Sequence, residues 1–139
     1  MMRGEGEMDD SRTQPKTRVL MMPRDTNPAG TIFGGVILSY IDQAGAEEAR
    51  FQGAERVVTV AMKEVVFLHP VFVGDLVSFY TELVRIGKTS ITVRVMVTAA
   101  RRWDRAEEAK VTEAEITYVN IDTDHQPTPL RPLTQSDRD

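Results

Sequence analysis

The residues best suited to chemistry lie in one segment of the chain, residues 27–42. Gly34 and Gly35 stand at the predicted start of a helix, where the first backbone N–H groups have no acceptor within the helix. These N–H groups carry the positive end of the helix dipole and can bind a carbonyl oxygen that gains negative charge. Paired glycines can also serve only to let a helix pack closely on a sheet, so the pair alone does not define the chemistry.

Asp42 is a carboxylate on the same predicted helix, about two turns after the glycines. On a helical wheel it lies beside Leu38 and Gly45, at the edge of the apolar side. It could activate water as a general base or attack an acyl carbon as a nucleophile. A boundary residue on the helix flank is an equally good interpretation. The role of Asn27 is also undecided, because an asparagine before a proline most often bonds its own turn.

The composition excludes several other chemistries. The chain has no cysteine, which excludes disulfides, thiolate metal sites and a cysteine nucleophile. Its two histidines, His69 and His125, are too few for a histidine-rich metal site. Neither a G-x-S-x-G elbow nor a phosphate-binding G-x-x-x-x-G-K-[ST] loop occurs. The net charge of −4 makes a nucleic-acid partner unexpected. From the missing ligand residues and motifs, we also expect no metal and no cofactor.

The hydrophobic pattern predicts the elements that position this segment. Strands are predicted at 17–22, 56–68, 76–86, 89–100 and 108–121, and a helix from Gly34 to Gln52 with Gly53 as its cap. We expect a disordered N-terminal arm at 1–15, a domain at 16–122 and a flexible tail at 123–139. One helix combined with strands at hairpin spacing predicts an α+β domain with the helix packed on an antiparallel sheet.

The predicted helix has two distinct sides. Its wet side carries Ser39, Gln43, Glu47 and Arg50, and its apolar side carries Ile37, Leu38, Ile41, Ala44 and Gly45. Glu48 breaks this pattern, because it projects toward the apolar side. The apolar runs of the chain are too short to cross a bilayer, and no targeting segment is recognised. We therefore expect no membrane partner and a cytoplasmic location.

The order and spacing of the motifs over residues 17–122 resemble those of hot-dog acyl-CoA thioesterases. The most similar subgroup is the bacterial single-domain enzymes that act on short- and medium-chain acyl-CoA. The motifs are Asn27-Pro28-x-Gly30-x-x-Phe33-Gly34-Gly35 followed by Asp42, then Val57–Val60, Phe67–Asp75, Gly87–Ser90 and Thr112–Val119. One departure is that Glu47 and Glu48 replace residues that are usually small or apolar in this family.

The resemblance implies a long central helix wrapped by a curved antiparallel sheet, with two subunits paired edge to edge and dimers assembled further, as a trimer of dimers. It implies that Asp42 acts with Asn27 of the partner subunit. The Gly34-Gly35 backbone is then expected to polarise the thioester carbonyl. The resemblance also places Lys88, Thr89 and Ser90 near CoA. Thr59, on the strand after the helix, could face this site or be an ordinary strand residue.

The function that the resemblance implies is hydrolysis of acyl-CoA to a carboxylic acid and CoA, with CoA present only as part of the substrate. The main alternative is a non-catalytic module that binds or senses acyl-CoA on the same fold. Asp42 and Asn27 favour the enzyme, because a binding module needs neither. A hot-dog dehydratase is disfavoured, since that chemistry relies on a histidine near the helix start and none is present there.

Overall fold

The computed structural model describes residues 14–101 and 104–131, which form one α-helix and five strands. In chain order these are β1 (Thr17–Leu20), a 3₁₀ turn (Pro23–Asp25), α1 (Gly34–Phe51), β2 (Val57–Lys63), β3 (Leu76–Ile86), β4 (Ser90–Arg101) and β5 (Asp104–Asn120). The predicted α+β arrangement is confirmed. Residues 1–13 of the predicted arm and 132–139 of the predicted tail lie outside the described residues.

The five strands form one antiparallel sheet in the order β1-β3-β4-β5-β2, which curls around α1. Alternate residues of β3, β4 and β5 point toward the helix and are buried, because strand side chains alternate between faces. The inner face includes Val77, Phe79, Val93, Val95, Val97 and Ile116. Strand β2 lies at the edge of the sheet, and its outer side pairs with no strand in the described part of the chain.

Helix α1 presents the two sides that the sequence predicts. Ile37, Ile41 and Ala44 are buried against the sheet, whereas the four predicted wet residues are all exposed. The helix ends at Phe51, one residue before the predicted end, and Gly53 then takes a positive φ of 121°. Glycine adopts this conformation without steric penalty, as a helix cap requires. None of the described helices is long and apolar enough to span a membrane.

Several predicted strand boundaries are wrong: β1 ends at Leu20 rather than at residue 22, and β5 begins at Asp104 rather than at residue 108. Strand β2 ends at Lys63 rather than at residue 68, because Glu64 adopts a positive φ of 52° that breaks the extended conformation. Beyond residue 122, where the domain is predicted to end, the chain makes further backbone hydrogen bonds to the sheet. The backbone of Leu130 donates a hydrogen bond to Lys88, and Thr128 donates to Asn120. Residues 127–130 of the predicted tail thus pack against the end of the sheet, where they hold the β3–β4 turn.

Glu48, which the sequence pattern leaves unexplained, is a buried carboxylate with a full set of partners. It accepts hydrogen bonds from the Thr81 hydroxyl at 2.8 Å and the Gln52 amide at 2.7 Å, and it pairs with Lys16 at 3.0 Å. Burial alone raises the pKa of this carboxyl, but the bonds from Gln52, Lys16 and Thr81 together hold it below its ordinary value. The charge therefore ties α1 to β3 and to the start of β1.

We expect Glu48→Gln to lower the free energy of unfolding at neutral pH by about 1–3 kcal/mol, because buried donors lose their charged acceptor. The folded-state pKa of Glu48 lies below the ordinary value of 4.5. Its contribution is therefore complete above that value and is lost as the pH falls through the folded-state pKa. Urea unfolding at about pH 7 and about pH 3 measures the difference. Glu47→Gln, at an exposed neighbour, is the control, and a difference that does not shrink in acid contradicts this assignment.

Candidate active site

Asp42 lies in the middle of α1, on the flank that faces β2 and β5. The Thr59 hydroxyl of β2 donates a hydrogen bond to Asp42 Oδ1 at 2.7 Å. Asp42 is partly exposed, as its predicted position at the edge of the apolar side requires. Thr59 is exposed and belongs to the edge strand. The carboxylate therefore lies beside the open edge of the sheet.

Tyr118 approaches Asp42 from the inner face of β5. Its hydroxyl lies 2.8 Å from the backbone carbonyl oxygen of Asp42 and 3.1 Å from Oδ1, so one hydrogen serves both acceptors. The residue is 1% exposed. Burial raises the pKa of the Tyr118 hydroxyl well above its ordinary value, and the charge of Asp42 raises it further. Tyr118 is therefore a neutral hydrogen-bond donor throughout the physiological pH range.

Gly45 provides the space that the Tyr118 hydroxyl occupies. A Cβ atom at position 45 would lie 2.3 Å from this hydroxyl and 3.2 Å from the ring. A glycine inside a helix costs about 1 kcal/mol relative to alanine, and the close approach of Tyr118 accounts for its presence. Gly45 thus lets the helix lie close to the sheet, and the nearest atoms that a Cβ would meet all belong to one tyrosine.

Asp42 Oδ1 and Oδ2 have different surroundings. The two hydroxyl groups, from Thr59 and Tyr118, both meet Oδ1. Within residues 14–101 and 104–131, no group donates a hydrogen bond to Oδ2. A carboxylate oxygen of this kind keeps its lone pairs available for a water molecule or for a substrate. The geometry therefore gives Asp42 one held oxygen and one available oxygen.

The start of α1 is open. Phe33 precedes the helix, and no side-chain hydrogen bond caps its first turn. A Cβ atom built on Gly35 meets nothing within 4 Å, whereas one on Gly34 touches the Phe67 ring at 3.4 Å. Gly35 also lies seven residues before Asp42, which puts the two residues on nearly the same side of the helix. The helix surface at Gly35 is therefore open on the side that carries Asp42, whereas the Val36 N–H already donates to the Phe33 carbonyl oxygen.

Asn27 organises its own loop within one chain. Its Oδ1 accepts hydrogen bonds from the backbone of Ala29 at 2.9 Å and of Thr31 at 3.1 Å, and its Nδ2 donates to the Thr31 hydroxyl at 2.9 Å. Asn27 thus has the commoner of its two predicted roles, in which an asparagine before a proline bonds its own turn. No hydrogen bond joins Asn27 to Asp42 within the described part of one subunit. The Nδ2 group keeps a second hydrogen for another acceptor.

Of the predicted CoA-binding residues, Lys88 and Thr89 lie in the β3–β4 turn and Ser90 is the first residue of β4. Ser90 of β4 pairs with Val119 of β5. The preceding residue of β5, Tyr118, pairs with Ile91 of β4 on one side and with Thr59 of β2 on the other. Neighbouring strands lie about 4.8 Å apart, so the turn is roughly 10 Å from Thr59 in the same subunit. The structure thus brings Asp42 and Thr59 into contact, and it leaves Asn27 and the Lys88–Ser90 turn separate from them within one chain.

Residues 29–102 match the thioesterase superfamily, and the chain belongs to this family. The helix and curled sheet form the hot-dog fold, as the resemblance predicts. The acyl-CoA thioester hydrolase YciA of Salmonella typhimurium is 42% identical over 115 residues, which cover 81% of this chain and 86% of that protein.

Two solved structures are similar in both sequence and fold. Cj0915, a hexameric hotdog-fold thioesterase of Campylobacter jejuni, has a TM-score of 0.78 and 49% identity, with 84% of this chain and 90% of that chain covered. HI0827, a hexameric broad-specificity acyl-coenzyme A thioesterase, has a TM-score of 0.81 and 34% identity, with 88% and 84% covered.

Proposed function

We propose that this protein hydrolyses acyl-CoA thioesters, with Asp42 as the general base. The observation that carries the proposal is the Asp42 carboxylate, which has one held oxygen, one available oxygen and an open helix start on its own side of α1. The relatives support the substrate class, because YciA is named an acyl-CoA thioester hydrolase and HI0827 a broad-specificity acyl-coenzyme A thioesterase.

The distance along the helix suits a water-mediated reaction. Gly35 precedes Asp42 by about 10 Å along the helix axis. A carboxylate, a water molecule, a carbonyl group and a backbone N–H placed in line span roughly the same distance, at ordinary hydrogen-bond and near-attack separations. In this arrangement the first-turn N–H groups of Gly34 and Gly35 bind the thioester oxygen, and Asp42 Oδ2 meets the water.

The reaction then proceeds by addition and elimination. Asp42 Oδ2 takes a proton from the water molecule while the water oxygen attacks the carbonyl carbon. The N–H groups at the helix start stabilise the resulting oxyanion. The oxyanion collapses, the C–S bond breaks with its electron pair on sulfur, and the thiolate leaves as CoA. A thiolate is a good leaving group, so the site needs no strong acid. Asp42 then passes its proton to the departing thiolate, which regenerates the base and leaves the carboxylic acid and CoA as products.

The proposed site lies between two subunits. Edge strand β2 exposes Val58 and Val60, and its outer edge, which pairs with no strand among residues 14–101 and 104–131, can extend the sheet into a second copy of the chain. Because Asp42 contacts Thr59 on this strand, pairing there places the site at the subunit boundary. We propose that Asn27 of the partner subunit completes the site with its remaining Nδ2 hydrogen. Hexamers are recorded for Cj0915 and HI0827, and we propose a trimer of dimers here.

The remaining assignments also belong to the proposal. Thr59 holds Asp42 and borders the substrate, and Lys88, Thr89 and Ser90 contact the CoA portion. The basic side chain at 88 suits the CoA phosphates, and the two hydroxyls beside it suit polar groups of the same ligand. A cytoplasmic location and the absence of a metal or further cofactor remain predictions.

The test of this function is a panel of acetyl-, butyryl- and longer acyl-CoA substrates with the purified full chain, in which a colour reagent follows the free thiol. We expect kcat values of about 1–10³ s⁻¹ on the preferred substrates, with no loss when EDTA is present. Binding of acyl-CoA without thiol release on any chain length would leave the non-catalytic binding module as the better description.

A further inference from the structure

Tyr118 is a buried ionisable residue to which the reaction above gives no part. Its hydroxyl contacts two atoms of one residue, the backbone carbonyl oxygen and Oδ1 of Asp42. The contact with the carbonyl oxygen fixes the hydroxyl relative to α1, and the contact with Oδ1 fixes the carboxylate relative to the hydroxyl. Tyr118 can therefore determine how the Asp42 side chain is turned, rather than only where its backbone lies.

Thr59, the other donor to Oδ1, is less able to hold this orientation alone. It is exposed on the edge strand, where water competes for the same acceptor. Tyr118 is fully buried, and its raised pKa keeps the donor hydrogen in place. A buried donor to a charged acceptor also makes a stronger bond than one exposed to water.

Gly45 shows that the helix accommodates this contact. Any side chain at position 45 would overlap the Tyr118 hydroxyl, since a Cβ atom would lie only 2.3 Å away. Because Gly45 lies within α1 and only three residues after Asp42, the opening in the helix surface is adjacent to the carboxylate. The hydroxyl reaches Asp42 through this opening.

We propose that Tyr118 is the positioning residue of the active site, which holds Asp42 Oδ1 so that Oδ2 faces the water and the thioester. This inference rests on the proposed function. Tyr118 does not contact the reacting atoms and acts only through Asp42. Gly45 acts one step further away, by leaving room for the hydroxyl.

The first test is Tyr118→Phe, which keeps the ring and removes the hydroxyl. We expect kcat for butyryl-CoA to fall by roughly tenfold to hundredfold, the effect of losing one hydrogen bond to a charged group, while KM stays within about threefold. Tyr80→Phe, on the other face of the sheet, is the matched control and should keep its kcat. A Tyr118→Phe enzyme whose kcat stays within twofold of wild type overturns the inference.

A double-mutant cycle then separates positioning from general support of the fold. In an Asp42→Ala background, Tyr118→Phe should change the residual rate by less than about twofold, because its target is gone. The same loss in both backgrounds would show that Tyr118 does not act through the carboxylate. Gly45→Ala, which displaces the hydroxyl without removing it, should reproduce the loss in kcat, provided that thermal unfolding shows a folded protein.

A crystal structure of Tyr118→Phe tests the inference without an activity measurement. We expect the Asp42 side chain to lose its single orientation, and an unchanged Asp42 rotamer would contradict the proposed role. Failure of the proposed function and failure of the positioning role give different results. If wild type releases no thiol, the proposed function fails. If wild type is active, Asp42→Ala keeps only a small residual rate and Tyr118→Phe matches wild type, only the positioning role fails.

Discussion

Asp42→Asn is expected to lower kcat for a short acyl-CoA by about 10²–10⁴-fold, the usual contribution of a positioned general base. Asparagine has nearly the same shape and can still accept hydrogen bonds from Thr59 and Tyr118 through its oxygen. It cannot take a proton from water, however. We therefore expect KM and the thermal unfolding midpoint to change little, so that the loss is confined to the chemical step.

The matched control for this variant is Glu47→Gln, which neutralises an exposed carboxylate on the opposite side of the same helix. Its kcat should remain within about twofold of wild type. Steady-state thiol release at saturating substrate measures both variants. Full activity in Asp42→Asn would remove the carboxylate from the mechanism, and a comparable loss in both variants would point to helix stability rather than to base catalysis.

The second large effect is expected at Asn27. Asn27→Ala should lower kcat by about tenfold to a thousandfold, because both the proposed contact across the subunit boundary and the loop that presents it are lost. Within one chain this side chain makes three hydrogen bonds to residues 29 and 31. A loss of activity alone therefore does not separate a direct role from a role in the loop.

Mixing two impaired variants, each of which alone keeps well under a quarter of wild-type activity, makes that distinction. In a dimer formed from Asn27→Ala and Asp42→Ala chains, a site shared between subunits leaves one of the two sites intact. Random exchange of equal amounts should then restore about a quarter of wild-type activity. A site contained within one chain leaves no intact copy, and the mixture stays at the residual activity of the separate variants. Each variant denatured and refolded alone is the control.

The sequence predicts the elements well where turn residues bound them. Strand β3 has its predicted limits, because Gly74-Asp75 and Gly87 mark both of its ends. Strand β2 is shorter than predicted, since a valine-rich run gives no sign that Glu64 turns out of the sheet. The predicted tail shows a related limit of the sequence pattern. Its prolines indicate an irregular backbone, but they do not exclude hydrogen bonds to residues 88 and 120.

The site was predictable only in part. Helical spacing is sufficient to place Gly34, Gly35 and Asp42 on related sides of α1, because it depends only on local geometry. The contact between Tyr118 and Asp42 joins residues 76 positions apart and depends on the pairing of β5 with β2 and β4. The alternating pattern indicates that Tyr118 faces the helix, but it gives no partner. The same limit applies to Glu48 and its partners Lys16 and Thr81.

The most direct measurement of the central claim is a crystal structure of the Asp42→Asn variant with butyryl-CoA bound. We expect the thioester to lie where two subunits meet, with its carbonyl oxygen within hydrogen-bond distance of the Gly34-Gly35 N–H groups and a water between its carbon and position 42. A thioester bound elsewhere, or a residue 42 that faces only bulk solvent in the assembled protein, would contradict it.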